Sequence, residues 1–336
     1  MAKTASTHLQ TEQSGLKGTF DHLLDRLYPR LDWLFLLRPT IFIPVWVTTA
    51  AGLGGGQWLS VPNLFWRVAW DWGICLLFVG VTLITAAAFL RTQLQEGGEL
   101  DIKGYPSVLK EGNIASGKAR RLTWILLGLG LVLVIPGGWL ALLTGAALFV
   151  IWGLLYGSLP AIWGNRPVVE ASIHLLAGAA LFYLGWAASG APLVDSLNLA
   201  APYLLAFAGV SGLTAITPGP QHLAAGARPS NVLITFTLAI ATLMAAVATV
   251  WGYRNGDPVI STTAVLTLPF FVVALYYRRM RDVVRTNRYL VLIFAIFVGS
   301  RYPLLFIPII IDFYLSRYYY RRRFGFVHPA FHAEHE

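Results

Sequence analysis

Long apolar runs separated by short polar segments form the main pattern of this chain. Each run has about 18 or more residues with few charges, which is enough for a helix to cross about 30 Å of hydrocarbon. A membrane β-barrel would need shorter segments of alternating polarity. The runs therefore predict an all-α polytopic integral membrane protein with about nine transmembrane helices, over residues 38–55, 68–93, 120–136, 138–157, 168–189, 199–217, 231–252, 259–277 and 289–316.

Turn-forming sequences and changes in composition divide the chain further. The Pro-Gly-Gly sequence at 136–138 and the Asn-Gly-Asp-Pro sequence at 255–258 each predict a tight turn between two spans. Residues 1–37 are polar and predict a cytoplasmic or interfacial segment without a signal peptide. Residues 38–316 then form the transmembrane domain, and residues 317–336 form a basic and aromatic C-terminal tail.

Composition supports a membrane protein and excludes some other classes. Of the 336 residues, 56% are hydrophobic and 12% are charged, whereas soluble domains are about 25% charged. The net charge is +9, but the basic residues lie at the ends of the spans and not on one extended face, so no nucleic acid partner is expected. The single cysteine, Cys75, allows neither a disulfide framework nor a thiolate metal site.

The distribution of lysine and arginine predicts the orientation. If the N-terminus is cytoplasmic, the loops at 92–119 and 214–230 are cytoplasmic too, and these segments hold most of the basic residues up to the eighth span. Only Arg67 and Arg254 then fall in outer loops. This is the asymmetry that the positive-inside rule requires.

The segment 92–116, TQLQEGGELDIKGYPSVLKEGNIAS, lies between two spans and resembles the first signature of the UbiA-type intramembrane prenyltransferases. That signature reads roughly NQxxDxxxD, followed by an N-x-K element. Gln93 keeps the glutamine of the opening, and Glu96 falls on the first aspartate. Leu100 falls on the second aspartate, with Asp101 one position late.

A second segment, LTAITPGPQHLAAGARP at 213–229, resembles the other signature of this family, which reads roughly Leu-Thr-x-Ile-Pro-Asp-x-x-Gly-Asp. Pro218 takes the place of its first aspartate and His222 that of its second. The LRPT sequence at 37–40, before the first span, also fits the family. The resemblance implies nine helices around a central cavity that opens towards the loops 92–119 and 214–230.

The family's chemistry implies that an isoprenyl group is transferred from its diphosphate with Mg²⁺ held by carboxylates. Of the four aspartate positions only Glu96 keeps a carboxylate, since Pro218 has no ligand atom and the imidazole of His222 suits softer metals. We therefore expect no cofactor, and Mg²⁺ only if the protein is an active enzyme. Glu96 and Asp101 are weak metal candidates, and they equally fit a solvated charged loop.

Candidate site residues follow from the same comparison. The catalytic candidates are Glu96, Asp101 and His222. The substrate-binding candidates are Gln93, Lys103, Arg166, Glu170, His174 and Arg228. The three cations would hold an anionic head group or serve only to set topology. Glu170 and His174 lie four residues apart in the fifth span, where they would face a cavity or bond to each other.

These observations predict a degenerate, non-catalytic UbiA-like protein that binds an isoprenoid or lipid, or that serves as a subunit of a membrane complex. The alternative is a divergent active prenyltransferase that moves an isoprenyl group from its diphosphate to an aromatic or lipid acceptor. A transporter or a purely structural subunit is a third class, for which the sequence shows no motif of its own. The sequence leaves open whether the protein is an enzyme.

The last apolar stretch has two interpretations. The sequence at 299–303 interrupts it, and the tail beyond carries Arg317, Arg321, Arg322 and Arg323. A single crossing over 289–316 keeps the nine helices typical of the family but leaves these arginines outside. A broken hairpin would return them to the cytoplasm. The helix count favours the single crossing, and the charge distribution favours the hairpin.

Overall fold

A computed structural model gives the architecture. It describes residues 30–60, 71–96, 107–111, 114–158, 166–217, 229–325 and 327–329. Across these residues the chain is helical and forms no strand. Ten helices have 12 residues or more. They are α1 Phe42–Ser60, α2 Trp72–Glu96, α3 Ser116–Val134, α4 Gly138–Phe149, α5 Pro167–Ala188, α6 Ser196–Ile216, α7 Asn231–Arg254, α8 Pro258–Tyr277, α9 Met280–Arg301 and α10 Phe306–Phe324.

Eight helical stretches of the described chain are long and apolar enough to cross a membrane. One of them, Ser116–Tyr156, contains both α3 and α4. These two helices meet at the 3₁₀ turn Ile135–Gly137, and Gly138 has a φ of 84°, which favours glycine. Gly145 of α4 lies against Leu131 of α3 across this turn. The predicted turn is therefore present, and α1 to α8 correspond to the first eight predicted spans.

Small residues allow α1 and α5 to pack closely. A Cβ on Gly52 would overlap the backbone of Phe182, and a Cβ on Gly185 would overlap the backbone of Thr49. In lipid the helices gain little from hydrophobic burial against each other, so close backbone contact at small residues is a main source of association. The cavity described below lies beside this rigid pair.

The predicted turn between α7 and α8 is also present. Asp257 is the N-cap of α8, where its side chain accepts a hydrogen bond from the backbone N–H of Val259 at 2.9 Å. The hydroxyl of Tyr203 in α6 donates a second bond to the same carboxylate at 2.7 Å. Because Asp257 is 4% exposed, these two donors satisfy a buried charge and fix this end of the bundle.

The single crossing predicted over 289–316 is wrong, because α9 ends at Arg301 and α10 begins at Phe306. The hydroxyl of Tyr302 donates to Gln57 near the end of α1 at 2.9 Å. The hydroxyl of Tyr319 instead donates to Asp32, which precedes α1, at 2.5 Å. Helix α10 therefore runs back along the bundle, as the broken hairpin predicts for this stretch.

The break has a local cause. Pro303 has no N–H to donate, and it disfavours helical geometry at the residue before it. Tyr302 accordingly leaves the helix, with φ −124° and ψ 68°. Helix α10 continues across the predicted boundary at 316/317 without interruption. Its basic end lies at the same end of the bundle as the start of α1, in agreement with the charge distribution.

Candidate functional site

A cavity of about 450 Å³ opens at the end of the bundle where α2, α6 and α10 end and where α5 and α9 begin. Its volume is in the range of about 300–1,000 Å³ that is usual for ligand pockets. The inner wall is mainly apolar and aromatic. Its described residues include Val45, Phe89, Trp152, Leu181, Phe207 and Val291.

The rim of the cavity is polar. Described side chains at the rim include Arg38, Gln93, Tyr156, His174, Thr214, Asn287 and Arg288. Gln93 is near the end of α2 and Thr214 is near the end of α6, so the loops that follow these helices both start beside the cavity. An apolar interior with a basic rim suits an amphiphile that has an apolar chain and a polar head.

Arg38 reaches the rim from a turn with unusual backbone geometry. Its φ of 55° and ψ of 62° are left-handed, which is uncommon for a residue other than glycine, and Pro39 follows it. The amide of Gln93 helps to hold this turn by donating to the carbonyl of Leu36 at 2.7 Å. A strained conformation of this kind persists where the surrounding structure fixes it, and it is enriched at binding sites.

Arg288 reaches the rim from the third turn of α9. Asn287 beside it donates from its side-chain amide to the hydroxyl of Thr214 at 3.2 Å. That hydroxyl donates in turn to the carbonyl of Val210 at 2.9 Å. The start of α9 is thereby tied to the end of α6, which positions Arg288 at the cavity.

A π-helical segment, Val150–Tyr156, extends α4 and places two aromatic side chains on the cavity wall. The hydroxyl of Thr92 donates to the carbonyl of Trp152 at 2.9 Å, which satisfies an acceptor at the widened turn. The ring of Trp152 lies 5.1 Å from that of Phe89. Such π-helical turns occur frequently at functional sites.

Glu170 and His174 form a pair in the first turns of α5. Their side-chain atoms Oε1 and Nε2 are 3.5 Å apart, and both side chains are largely buried. The imidazole of His174 lines the cavity and lies 5.0 Å from the ring of Tyr156. Glu170 is not among the described lining residues.

The cavity brings together only some of the predicted site residues. Gln93 and His174 line it, but the amide of Gln93 is used to anchor Leu36. Arg166 is exposed at the N-cap of α5 and is not among the described lining residues. Glu96 is the last residue of α2, and its side chain lies outside the described part. Asp101, Lys103, His222 and Arg228 are also outside the described residues.

Sequence reasoning missed Arg38, Arg288 and His328 as cavity residues. Arg38 belongs to the LRPT sequence at 37–40, and the resemblance of that sequence to the UbiA-type family indicates that this segment matters. Arg288 is one of several arginines near the ends of the spans, and its sequence position does not distinguish it from those that set topology. His328 lies in a tail that shows no recognisable motif. Its position in the cavity depends on the path of the chain after α10.

Comparison with known proteins gives a result at the level of fold. No family model and no curated protein matches the sequence. A UbiA homolog from Archaeoglobus fulgidus matches in structure with a TM-score of 0.58 and 19% identity, over 81% of this chain and 98% of that chain. A structure of digeranylgeranylglyceryl phosphate synthase matches with a TM-score of 0.59 and 16% identity, over 82% and 99%. The chain has the UbiA fold.

A further UbiA structure bears on the question of metal. The Archaeoglobus fulgidus homolog bound to GPP and Mg²⁺ matches with a TM-score of 0.57 and 18% identity, over 81% of this chain and 98% of that chain. In the present UbiA-like bundle, the described lining of the cavity contains two arginines and no carboxylate. No group of three or more His, Cys, Asp or Glu side chains in the described chain could hold a metal. The two arginines of the described lining suit an anionic group.

Proposed function

We propose that this UbiA-like membrane protein is non-catalytic and binds an isoprenoid or another lipid with an anionic head group. One observation carries the proposal: Arg38 and Arg288 lie at the rim of an apolar cavity whose described lining has no carboxylate. Guanidinium groups bind phosphate oxygens by paired, charge-assisted hydrogen bonds. The apolar wall would take up the hydrocarbon chain of the same ligand.

The loss of catalysis is argued from the altered signatures. Departure of a diphosphate needs its charge to be neutralised as the bond breaks, and Mg²⁺ on paired carboxylates normally provides this. Pro218 and His222 take the place of one aspartate pair, and Leu100 takes the place of another aspartate. Arginines can hold a head group in the ground state without such a metal cluster. The proposal therefore combines retained binding with lost chemistry.

Two further points belong to the same proposal. A protein that binds a lipid without transforming it can act as a subunit of a membrane complex. We also infer that the cavity opens to the cytoplasm, because the basic start of α9 and the basic end of α10 lie at this end of the bundle.

The second candidate function is a divergent prenyltransferase. It is favoured by Glu96, which ends α2 only three residues after Gln93 of the cavity lining. In that case Glu96 and Asp101 would supply displaced carboxylates for Mg²⁺, and the His174–Glu170 pair would face the acceptor. The two functions differ in their need for Mg²⁺, which makes them separable by experiment.

Binding of geranyl diphosphate in EDTA tests the proposed function. We expect Arg288→Gln to weaken the affinity about tenfold or more, because a charged hydrogen bond contributes about 1.5–3 kcal/mol. Arg285→Gln on the same helix is the matched control, since Arg285 lies 3.8 Å from Asp282 and is not among the described lining residues. Equal affinities for Arg288→Gln and the unmodified protein, or binding only with Mg²⁺, would contradict the proposal.

A further inference from the structure

The described end of the C-terminal tail lies in the mouth of the cavity. Helix α10 ends at Phe324, and Gly325 follows with a left-handed φ of 77°, a common way for a chain to leave a helix and change direction. His328 and Pro329 then line the cavity. The ring of His328 lies 5.0 Å from that of Tyr320, in an edge-on arrangement with an interplanar angle of 77°.

His328 is held among positive charges. Burial, the Arg288 guanidinium and the Arg38 guanidinium together lower the pKa of His328 to about 3. A neutral imidazole can accept a hydrogen bond from a guanidinium, whereas a protonated imidazole cannot. At neutral pH the imidazole of His328 is therefore uncharged and able to accept a hydrogen bond.

We propose that His328 and Pro329, at the described end of the C-terminal tail, form a plug of the cavity and compete with an anionic head group for Arg38 and Arg288. A phosphate oxygen is a stronger acceptor for a guanidinium than a neutral imidazole, because the bond is charge-assisted. His328 lines the same cavity as the two arginines, so a head group bound to both arginines would compete with the plug for this space. The competition rests on the proposed function, whereas the docking of the tail does not.

Docking of the plug depends on pH. The described titratable or charged side chains in the cavity lining besides His328 are Arg38, Arg288, His174, Tyr156 and Tyr320. Free histidine has a pKa of about 6.5, so the docked state is most stable above pH 6.5. It loses stability as the pH falls from 6.5 towards 3. The docking equilibrium is about tenfold weaker at pH 5.5 than at pH 7.5.

A spin label near the plug tests docking without any ligand. The label is attached to Ala330→Cys in a Cys75→Ala background of the full chain, and its mobility is measured by electron paramagnetic resonance. We expect an immobile fraction at pH 7.5 that decreases at pH 5.5. His328→Gln keeps an acceptor and removes the titration, so this variant should lose the pH dependence. A label that is equally mobile at both pH values, or a pH response that persists in His328→Gln, would overturn the proposal.

Affinity for geranyl diphosphate tests the competition. A chain that ends at Gly325 should bind this probe several-fold more tightly than the full chain at pH 7.5, and the difference should shrink at pH 5.5. Equal affinities at pH 7.5, or weaker binding by the shortened chain, would overturn the competition. If no variant binds the probe, the proposed function and the competition both fail, while the spin label still reports whether the tail docks.

Discussion

At the residue scale, polar side chains around the cavity serve two purposes that their sequence positions do not distinguish. Gln93 keeps its place in a signature, yet its buried amide donates to Leu36 and holds the turn that carries Arg38. Arg288 resembles other arginines near the ends of the spans, yet it lines the cavity. The difference arises from which face of a helix meets a neighbour, and that is decided by packing between distant segments.

The bond between Tyr319 and Asp32 offers a test at this scale. Asp32 is 4% exposed, and besides the Tyr319 hydroxyl it has Arg323 at 3.4 Å. Tyr319→Phe should lower the free energy of unfolding by about 1–3 kcal/mol, because a buried carboxylate loses a donor. Thermal unfolding in detergent measures this effect. Tyr314→Phe on the same helix, at an exposed position, is the control and should change little.

At the scale of elements, the hydrophobic runs predict the helices well because each run has to match the thickness of the bilayer. The prediction fails for the last stretch. The start of α9 carries Asp282, Arg285 and Arg288. Because these residues are charged, the predicted hydrophobic span leaves out the first two turns of the helix. These charged side chains are tolerated because this part of α9 lies beside the cavity and at the basic end of the bundle.

Packing between α1 and α5 gives a prediction at the element scale. Gly185→Ala should strongly reduce the unfolding temperature, because its methyl group would overlap the backbone of Thr49 and push the helices apart. Gly128→Ala in α3 is the matched control, since no neighbouring atom lies within 4 Å of a Cβ there. We expect the control to be neutral or slightly stabilising, by up to about 1 kcal/mol. Similar unfolding temperatures for the two variants would show that the contact is not close.

At the scale of the whole molecule, the hairpin of α9 and α10 sets which residues share a side of the membrane. Arg30→Cys and Arg321→Cys, each in a Cys75→Ala background, should react with an impermeant maleimide from the same side of sealed vesicles. Arg254→Cys, at the end of α7, should react from the opposite side. If Arg321→Cys reacted from the same side as Arg254→Cys, the single crossing would be correct and the hairpin would be wrong.

The sequence predicts the fold and the end of the bundle at which the cavity opens, but not the composition of its rim. Arg38, Arg288 and His328 are far apart along the chain, and all three line the cavity. His328 reaches it because α10 turns back and the tail follows it. The motif positions Glu96, Pro218 and His222 bear on catalysis more than on binding. Under the proposed function, a chain with altered signatures would still keep a cavity suited to an anionic amphiphile.

The most direct measurement of the central claim is turnover. Purified protein is incubated with labelled isoprenyl diphosphates and a mixture of quinone-precursor and lipid acceptors, with and without Mg²⁺, and products are separated by chromatography. The account predicts no transfer in either condition, together with binding of the isoprenyl diphosphate that does not require Mg²⁺. Transfer that depends on Mg²⁺ and is lost in Glu96→Gln would contradict it and would make the protein a prenyltransferase.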